Sequence, residues 1–466
     1  MKDTIVLYPA PGLSHLVSLV ELGKLIIHHY RHRFSLTVLL SSGDSFKLPA
    51  VDSYIDHISQ TDPSIVFHRL PALPNSESSP PTTTFQTIRR NNPNLLHTLQ
   101  TISNTSSIAA LVIDFFCNPA FPIATDLKIP LYFYVPCGAS ALSSFLYLPT
   151  IHNQTEKSLR ELGNTNLDIP GLPPIRAAQM PKAMLVRNNE YYDEFLDMSI
   201  NFIKSRGIIS NTFQALQPRV IKAVEEQTPA FFCIGPLVVE PRDQSSESDC
   251  LRWLDAQPSR SVVFLSFGTR GVFPAKQIAE IAEGLERSGQ RFLWVVRSPP
   301  PVHDSGKRLS LSAIDDFDLD DVMPEGFLDR TRDRGLVVKS WAPQVEVLSR
   351  KSVGGFVTHC GWNSILEAVC AGVPMLAWPL YAEQEVNKVL LVEEMKLAMP
   401  MEAAEEEGIV VAAKVEKRVG ALMHSDEGAE MRKRCRKMRE KALAAWAEEG
   451  SSKNALVNLA KSWERI

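Results

Sequence analysis

Short apolar runs alternate with stretches of helical periodicity along almost the whole chain. Residues 4–9, 34–40, 65–70, 109–114 and 131–135 read as strands, most of them too continuously apolar to keep a solvent face. Between them apolar residues recur every three or four positions, as Leu16, Leu19, Val20, Leu22 and Ile26 do after the turn 10–14 and His15. The same alternation returns later, in strand 262–267, helix 274–288 with Ile278, Ile281, Ala282 and Leu285 on one face, and strand 292–296. Strands alternating with helices predict parallel α/β sheets, and 466 residues are too many for one core, so two domains are expected. The polar run 240–249 after Gly235-Pro236 is the natural linker. The expected division is 1–239, a linker 240–250, a second domain 251–450 and a final helix 451–466.

Polar and aromatic residues gather where strands give way to helices. In the run from Trp341 to Gln384, strand 337–340 ends at Trp341 and strand 353–358 ends in the turn 359–362. Asn363-Ser364 stand where N-caps belong, ahead of a helix 365–371 that Gly372 and Pro374 stop. A helix start over the carboxyl edge of a parallel sheet holds phosphates. The pattern suits a diphosphate, with Trp341 as a flat face for a base, Glu367 as an acceptor for ribose hydroxyls and Glu383-Gln384 placed to reach a sugar. In the first half, His15 opens a helix just after the first strand and Asp114 closes strand 109–114, so both belong to the carboxyl edge of one sheet. A histidine backed by a carboxylate is a general base of fixed tautomer. Phe85, Phe115, Phe116, Met180, Tyr191, Tyr192 and Phe195 suit a pocket for a flat apolar acceptor, although each taken singly also suits the core. The loops 73–84 and 152–181 border that side.

With its Trp-Ala-Pro-Gln start, His-Cys-Gly-Trp-Asn-Ser centre and Glu-Gln end, the run 341–384 closely resembles the signature box of plant family-1 UDP-sugar-dependent glycosyltransferases. The similarity continues from Met1 to the last helix. It implies the GT-B architecture: two doubly wound Rossmann-like domains facing across a cleft, the first binding the acceptor and the second the UDP-sugar, with helix 451–466 crossing back to the first. It implies that Trp341 stacks on uracil, Gln344 contacts the uridine and Glu367 holds the ribose. His359, Asn363 and Ser364 would bind the diphosphate with Thr269 beside it, and Trp362, Glu383 and Gln384 would hold the hexose. Arg270 either adds charge there or faces solvent. The resemblance makes His15, in Pro-Gly-Leu-Ser-His, the base for an acceptor hydroxyl and Asp114, in Asp-Phe-Phe-Cys, its support. Gln384 and Trp362 match glucose-using members, whereas many relatives carry Thr or Ser where this chain has Pro136 and Cys137. The segments 8–12, 20–24 and 260–268 resemble relatives acting on flavonoids, chalcones and similar phenols. The expected reaction is an inverting, metal-independent transfer of glucose from UDP-glucose to a phenolic hydroxyl. C-glucosylation of an aromatic carbon and transfer to a terpenoid are the alternatives.

Composition removes other classes. With 49 basic and 53 acidic residues the net charge is −4, which leaves no electrostatic footprint for nucleic acid. No apolar run reaches bilayer length, and the first strand begins at once without signal-peptide character, so a cytoplasmic monomer is expected and the sequons at Asn104 and Asn153 stay silent. Seven cysteines without a CxxC pair suggest free thiols, and no cofactor or metal is expected. Asp318-Leu319-Asp320 matches the DxD metal site of the other large glycosyltransferase architecture, but it falls in the Pro-rich, acidic segment 298–324, which is expected to be solvated. The basic residues of 432–439 alternate with acids and are expected on a solvated helix face. No GxGxxG follows the first strand, against a dinucleotide dehydrogenase, and Ser14 lacks the GxSxG of a hydrolase. A GT-B-shaped epimerase or phosphorylase and a non-catalytic nucleotide-sugar binder are the distant alternatives; the binder could have lost His15 or Asp114, and both are present.

Overall fold

The computed structural model describes residues 2–42, 49–72, 83–238, 248–299, 317–401 and 408–464. The chain divides into two compact units, Met1–Val239 with Ala444–Ile466, and Glu240–Leu443. The first is built on seven strands, β1 (Asp3–Tyr8), β2 (Phe34–Leu40), β3 (Ile65–Arg69), β4 (Ile108–Asp114), β5 (Leu131–Val135), β6 (Gly207–Ser210) and β7 (Phe231–Cys233). They lie in the order β3-β2-β1-β4-β5-β6-β7. The second carries β8 (Val262–Ser266), β9 (Arg291–Val296), β10 (Gly335–Lys339), β11 (Val353–Thr358), β12 (Met375–Ala377) and β13 (Ala398–Pro400), in the order β10-β9-β8-β11-β12-β13. Every pairing within these two sheets is parallel. The two orders correspond strand for strand over six strands. In each sheet the direction of winding reverses beside the first strand, between β1 and β4 and between β8 and β11, and a crevice opens there at the carboxyl ends.

Burial explains the strands. β5 and β8 are buried at every position, as expected of strands covered on both faces by helices. The helices used below are α1 (Leu13–Tyr30), α2 (Thr84–Thr105), α3 (Glu190–Lys204), α4 (Ala275–Ser288), α5 (Gln344–Ser349), α6 (Trp362–Ala371), α7 (Gln384–Val389), α8 (Asp426–Ala444) and α9 (Ser451–Ser462). α1 buries the predicted face, Leu16, Leu19, Val20, Leu22 and Ile26. α9 lies in the core of the first unit, where Leu456, Leu459, Ala460 and Trp463 join Ile5, Leu7 and Phe34. The Tyr132 hydroxyl bonds the Ser462 hydroxyl at 3.0 Å, and Trp446 donates to the Pro236 carbonyl at 3.2 Å. The return to the first unit begins at Ala444, ahead of the expected Ser451.

Several boundaries differ from the sequence reading. α1 starts at Leu13, so His15 sits in its first turn. α6 starts at Trp362 with Gly361 as its N-cap, so Asn363 and Ser364 belong to the first turn and do not cap it. α7 runs on into a π-helical turn, Leu390–Glu394. Asp318 caps the one-turn helix Leu319–Val322 by accepting from the Asp320 N–H, and both aspartates are exposed, as the solvated reading expected. Arg432 is half-buried and donates to the carbonyls of Gly354, Leu422 and Met423, so that part of the basic run closes a helix end. Most of the loop 73–84, most of the linker 240–250 and the middle of 298–324 lie outside the described residues.

Candidate active site

At the reversal point of the first sheet, β1 runs into Gly12 and α1 while β4 ends at Asp114. This brings His15 and Asp114 together. Nδ1 of His15 lies 2.8 Å from Oδ2 of Asp114, whose other oxygen accepts the Phe116 N–H at 3.0 Å. The carboxylate is 0% exposed and the imidazole 22%. A buried carboxylate with both oxygens engaged has no freedom to turn, so the ring it holds is fixed in orientation. Around it stands an aromatic wall. His15 meets Phe116 edge-on at 5.4 Å, Phe116 packs on Phe115, Phe85 and Phe195, and Phe145 stacks on Phe115 at 5.9 Å. Phe85, Phe115, Met180, Tyr192 and Phe195 are buried, which corrects their reading as lining residues: they back the wall, while Phe116 and Tyr191 keep exposed surface. Phe145 was missed, since nothing in its apolar helix distinguishes it from core.

At the reversal point of the second sheet, β8 ends in the turn of Gly268 and the exposed Thr269 and Arg270, and β11 ends at His359. His359 is 7% exposed, burial lowers its pKa to about 4 against a weaker opposing contact with the Ser266 backbone, and its Nδ1 has no hydrogen-bond partner. The ring is therefore neutral at pH 7 and can offer a hydrogen bond without a charge. α6 begins beside it with no side-chain cap, which leaves the N–H groups of its first turn without intrahelical partners. Trp362 is buried, so its side chain is packed away, whereas Asn363 is exposed. Gln344, at the start of α5, donates to Ser364 Oγ at 2.8 Å and Glu367 Oε2 at 2.5 Å. Burial raises Glu367 to about 7, opposed by that amide and assisted by Glu346. Trp341 is 69% exposed, a large aromatic face with no packing role.

Gln384 is buried at the start of α7, and Glu383 is the helix's N-cap residue. The Oε1 of Gln384 accepts the N–H groups of Leu380 and Tyr381 at 2.8 and 2.9 Å, and its side chain also bonds the Tyr381 hydroxyl. Tyr381 was overlooked although it stands inside the signature run; its ring lies 6.1 Å from that of His359. A further feature was invisible in sequence. Gly268 after β8, Ser340 after β10, Cys360 after β11 and Ala382 after β12 all have positive φ, between 53° and 73°. Left-handed non-glycine residues are uncommon and costly, and three of them share one edge of this sheet. Among the described residues no group of three or more His, Cys, Asp or Glu is placed to hold a metal, and no helix is long and apolar enough to cross a membrane. All seven cysteines are free.

A family profile described as UDP-glucoronosyl and UDP-glucosyl transferase matches residues 225–405. The chain is 48% identical to UDP-glycosyltransferase 88F3 of Pyrus communis over 482 residues, 99% of this chain and all of that protein. It belongs to the UDP-glycosyltransferase family. Phloretin 2'-O-glucosyltransferase of Malus domestica is also 48% identical, over 99% of this chain and all of its own length. Among solved structures, Phytolacca americana UGT2 complexed with UDP-2fluoro-glucose and pterostilbene superposes with a TM-score of 0.88 at 34% identity, covering 99% of this chain and 100% of that one. The architecture of this UDP-glycosyltransferase is accordingly GT-B, with one Rossmann-like sheet in each unit.

Proposed function

We propose that this UDP-glycosyltransferase moves glucose from UDP-glucose to a hydroxyl of a phenolic small molecule of the chalcone or flavonoid kind, with inversion at the anomeric carbon. The observation that carries the reading is the 2.8 Å contact between His15 and the buried Asp114 at the foot of an aromatic wall. Phloretin glucosylation by a relative 48% identical and pterostilbene in a structural neighbour support a flat phenolic acceptor.

In this reading Nε2 of His15 takes the proton from the acceptor hydroxyl as its oxygen attacks the anomeric carbon. The bond to the UDP oxygen breaks, UDP leaves with the electron pair, and the proton passes from His15 to solvent. Asp114 fixes the tautomer and stabilises the imidazolium. Phenols ionise readily, so partial proton transfer suffices. In the second unit Trp341 stacks on uracil, and Gln344 sets Glu367 for the ribose hydroxyls. The free N–H groups of α6, together with His359, Asn363, Ser364 and Thr269, stabilise the departing diphosphate. The buried position of Trp362 leaves its main chain for the sugar; Gln384 serves the sugar through its amide nitrogen and Glu383 through its carboxylate.

A mass-resolved product assay with UDP-glucose and a mixed phenolic panel tests this. Hexosylated phenols that release hexose in acid are expected. Acid-stable hexosides would move the chemistry to an aromatic carbon, and transfer to terpenoids alone would overturn the acceptor class.

A further inference from the structure

The glycine at 361 has no explanation in its own backbone. Its φ of −64° and ψ of 137° are open to any residue, and the position, ahead of α6, is one that Ser, Thr, Asp or Asn favours. What excludes a side chain is His359: a Cβ at 361 would lie 2.4 Å from Nε2 and 3.0 Å from Cε1 of that ring. Gly268 approaches the same edge from the turn after β8, where a Cβ would lie 2.6 Å from Nε2 and 2.7 Å from Cε1. At the opposite edge Nδ1 is buried and makes no bond of good geometry, so that beside a contact with the Ser266 backbone it is packing that seats the ring.

We infer that Gly361 is a positioning residue for donor binding: with Gly268 it forms a slot that holds Nε2 of His359 beside the open start of α6, where the diphosphate is read. This rests on the proposed donor site. A Cβ at either glycine must push the ring away or distort the turn, because the three atoms it would meet most closely all belong to the imidazole itself. The diphosphate then loses a hydrogen bond that its distance and angle make valuable.

Calorimetric titration of UDP and of uridine into wild type, Gly361→Ala, His359→Ala and the double variant tests the slot. Gly361→Ala is expected to weaken UDP about tenfold and leave uridine unchanged, and the double variant is expected to bind UDP no more weakly than His359→Ala alone. An alanine penalty that persists in full without His359, or a parallel loss of uridine affinity, overturns the slot. An unchanged UDP affinity in His359→Ala sinks the donor-site reading itself and the slot with it, whereas a weakened but additive cycle sinks the slot alone. Should Gly361→Ala fail to fold, Gly268→Ala repeats the cycle from the other side, and its left-handed strain cancels between the two backgrounds.

Discussion

His15 and His359 both stand at the carboxyl edge beside the reversal point of sheets of the same winding, His15 after the first strand and His359 after the strand across the reversal, and they are chemically opposite. His15 has a buried carboxylate on Nδ1 and keeps part of its ring exposed. His359 has no partner on Nδ1, is enclosed by protein, and is held neutral by burial. The difference comes from the neighbouring strand ends: β4 supplies Asp114 to the first ring, and β8 supplies Gly268 to the second. In the proposed mechanism the reversal point thus carries a proton acceptor in one unit and a hydrogen-bond donor in the other.

That contrast can be broken most directly at His15. His15→Ala is expected to lower kcat/KM on phenolic acceptors about 10³-fold while calorimetric UDP affinity stays at the wild-type value. Equal losses in both would remove the division of labour. Asp114→Asn keeps the shape but withdraws the charge behind the ring, and a fall on the order of 10²-fold in kcat is expected, with the steepest loss on the least acidic phenols. Trp341→Ala should raise the KM for UDP-glucose about tenfold by removing a stacking face, and because the side chain is 69% exposed the melting temperature should not move.

The smallest effect is a pH dependence at Glu367. Its folded pKa of about 7 lies above the ordinary 4.5, so the folded protein holds a proton that the unfolded chain releases. Stability contributed at this site is present below about pH 4.5 and lost as pH rises through about 7. Donor affinity should run the other way, since the ionised carboxylate accepts ribose hydroxyls better. Glu367→Gln should flatten both profiles, and an unflattened UDP-binding profile would mean that another group titrates with the donor.

The alternation of apolar strands and amphipathic helices was legible because parallel sheets bury whole strands, and that alone placed His15, Asp114, Trp341 and His359 at strand ends. The signature run supplied residue roles that periodicity could not. What escaped has physical reasons. Asn363 looks like an N-cap, but Gly361 takes that place, since the ring of His359 leaves no room for a Cβ there. Phe85 and Phe115 carry the composition of a pocket, yet whether an aromatic ring lines or backs a wall depends on rotations fixed by packing across α2, α3 and the turn after β4. The left-handed backbone at Ser340, Cys360 and Ala382 has no residue signature at all, because only tertiary constraint holds it.

The last stretch of chain has a practical consequence for taking the enzyme apart. The backbone passes between the units twice, near Val239 and again at Ala444, and the first unit is completed by residues from both ends of the sequence. Glu240–Leu443 is one uninterrupted segment. Residues 1–239 cannot stand in for the other unit, because Phe34 and Tyr132 would lose Trp463, and Pro236 would lose the indole of Trp446. A cut at both crossings thus leaves the second unit on one segment, whereas the first requires its distant tail to be grafted back.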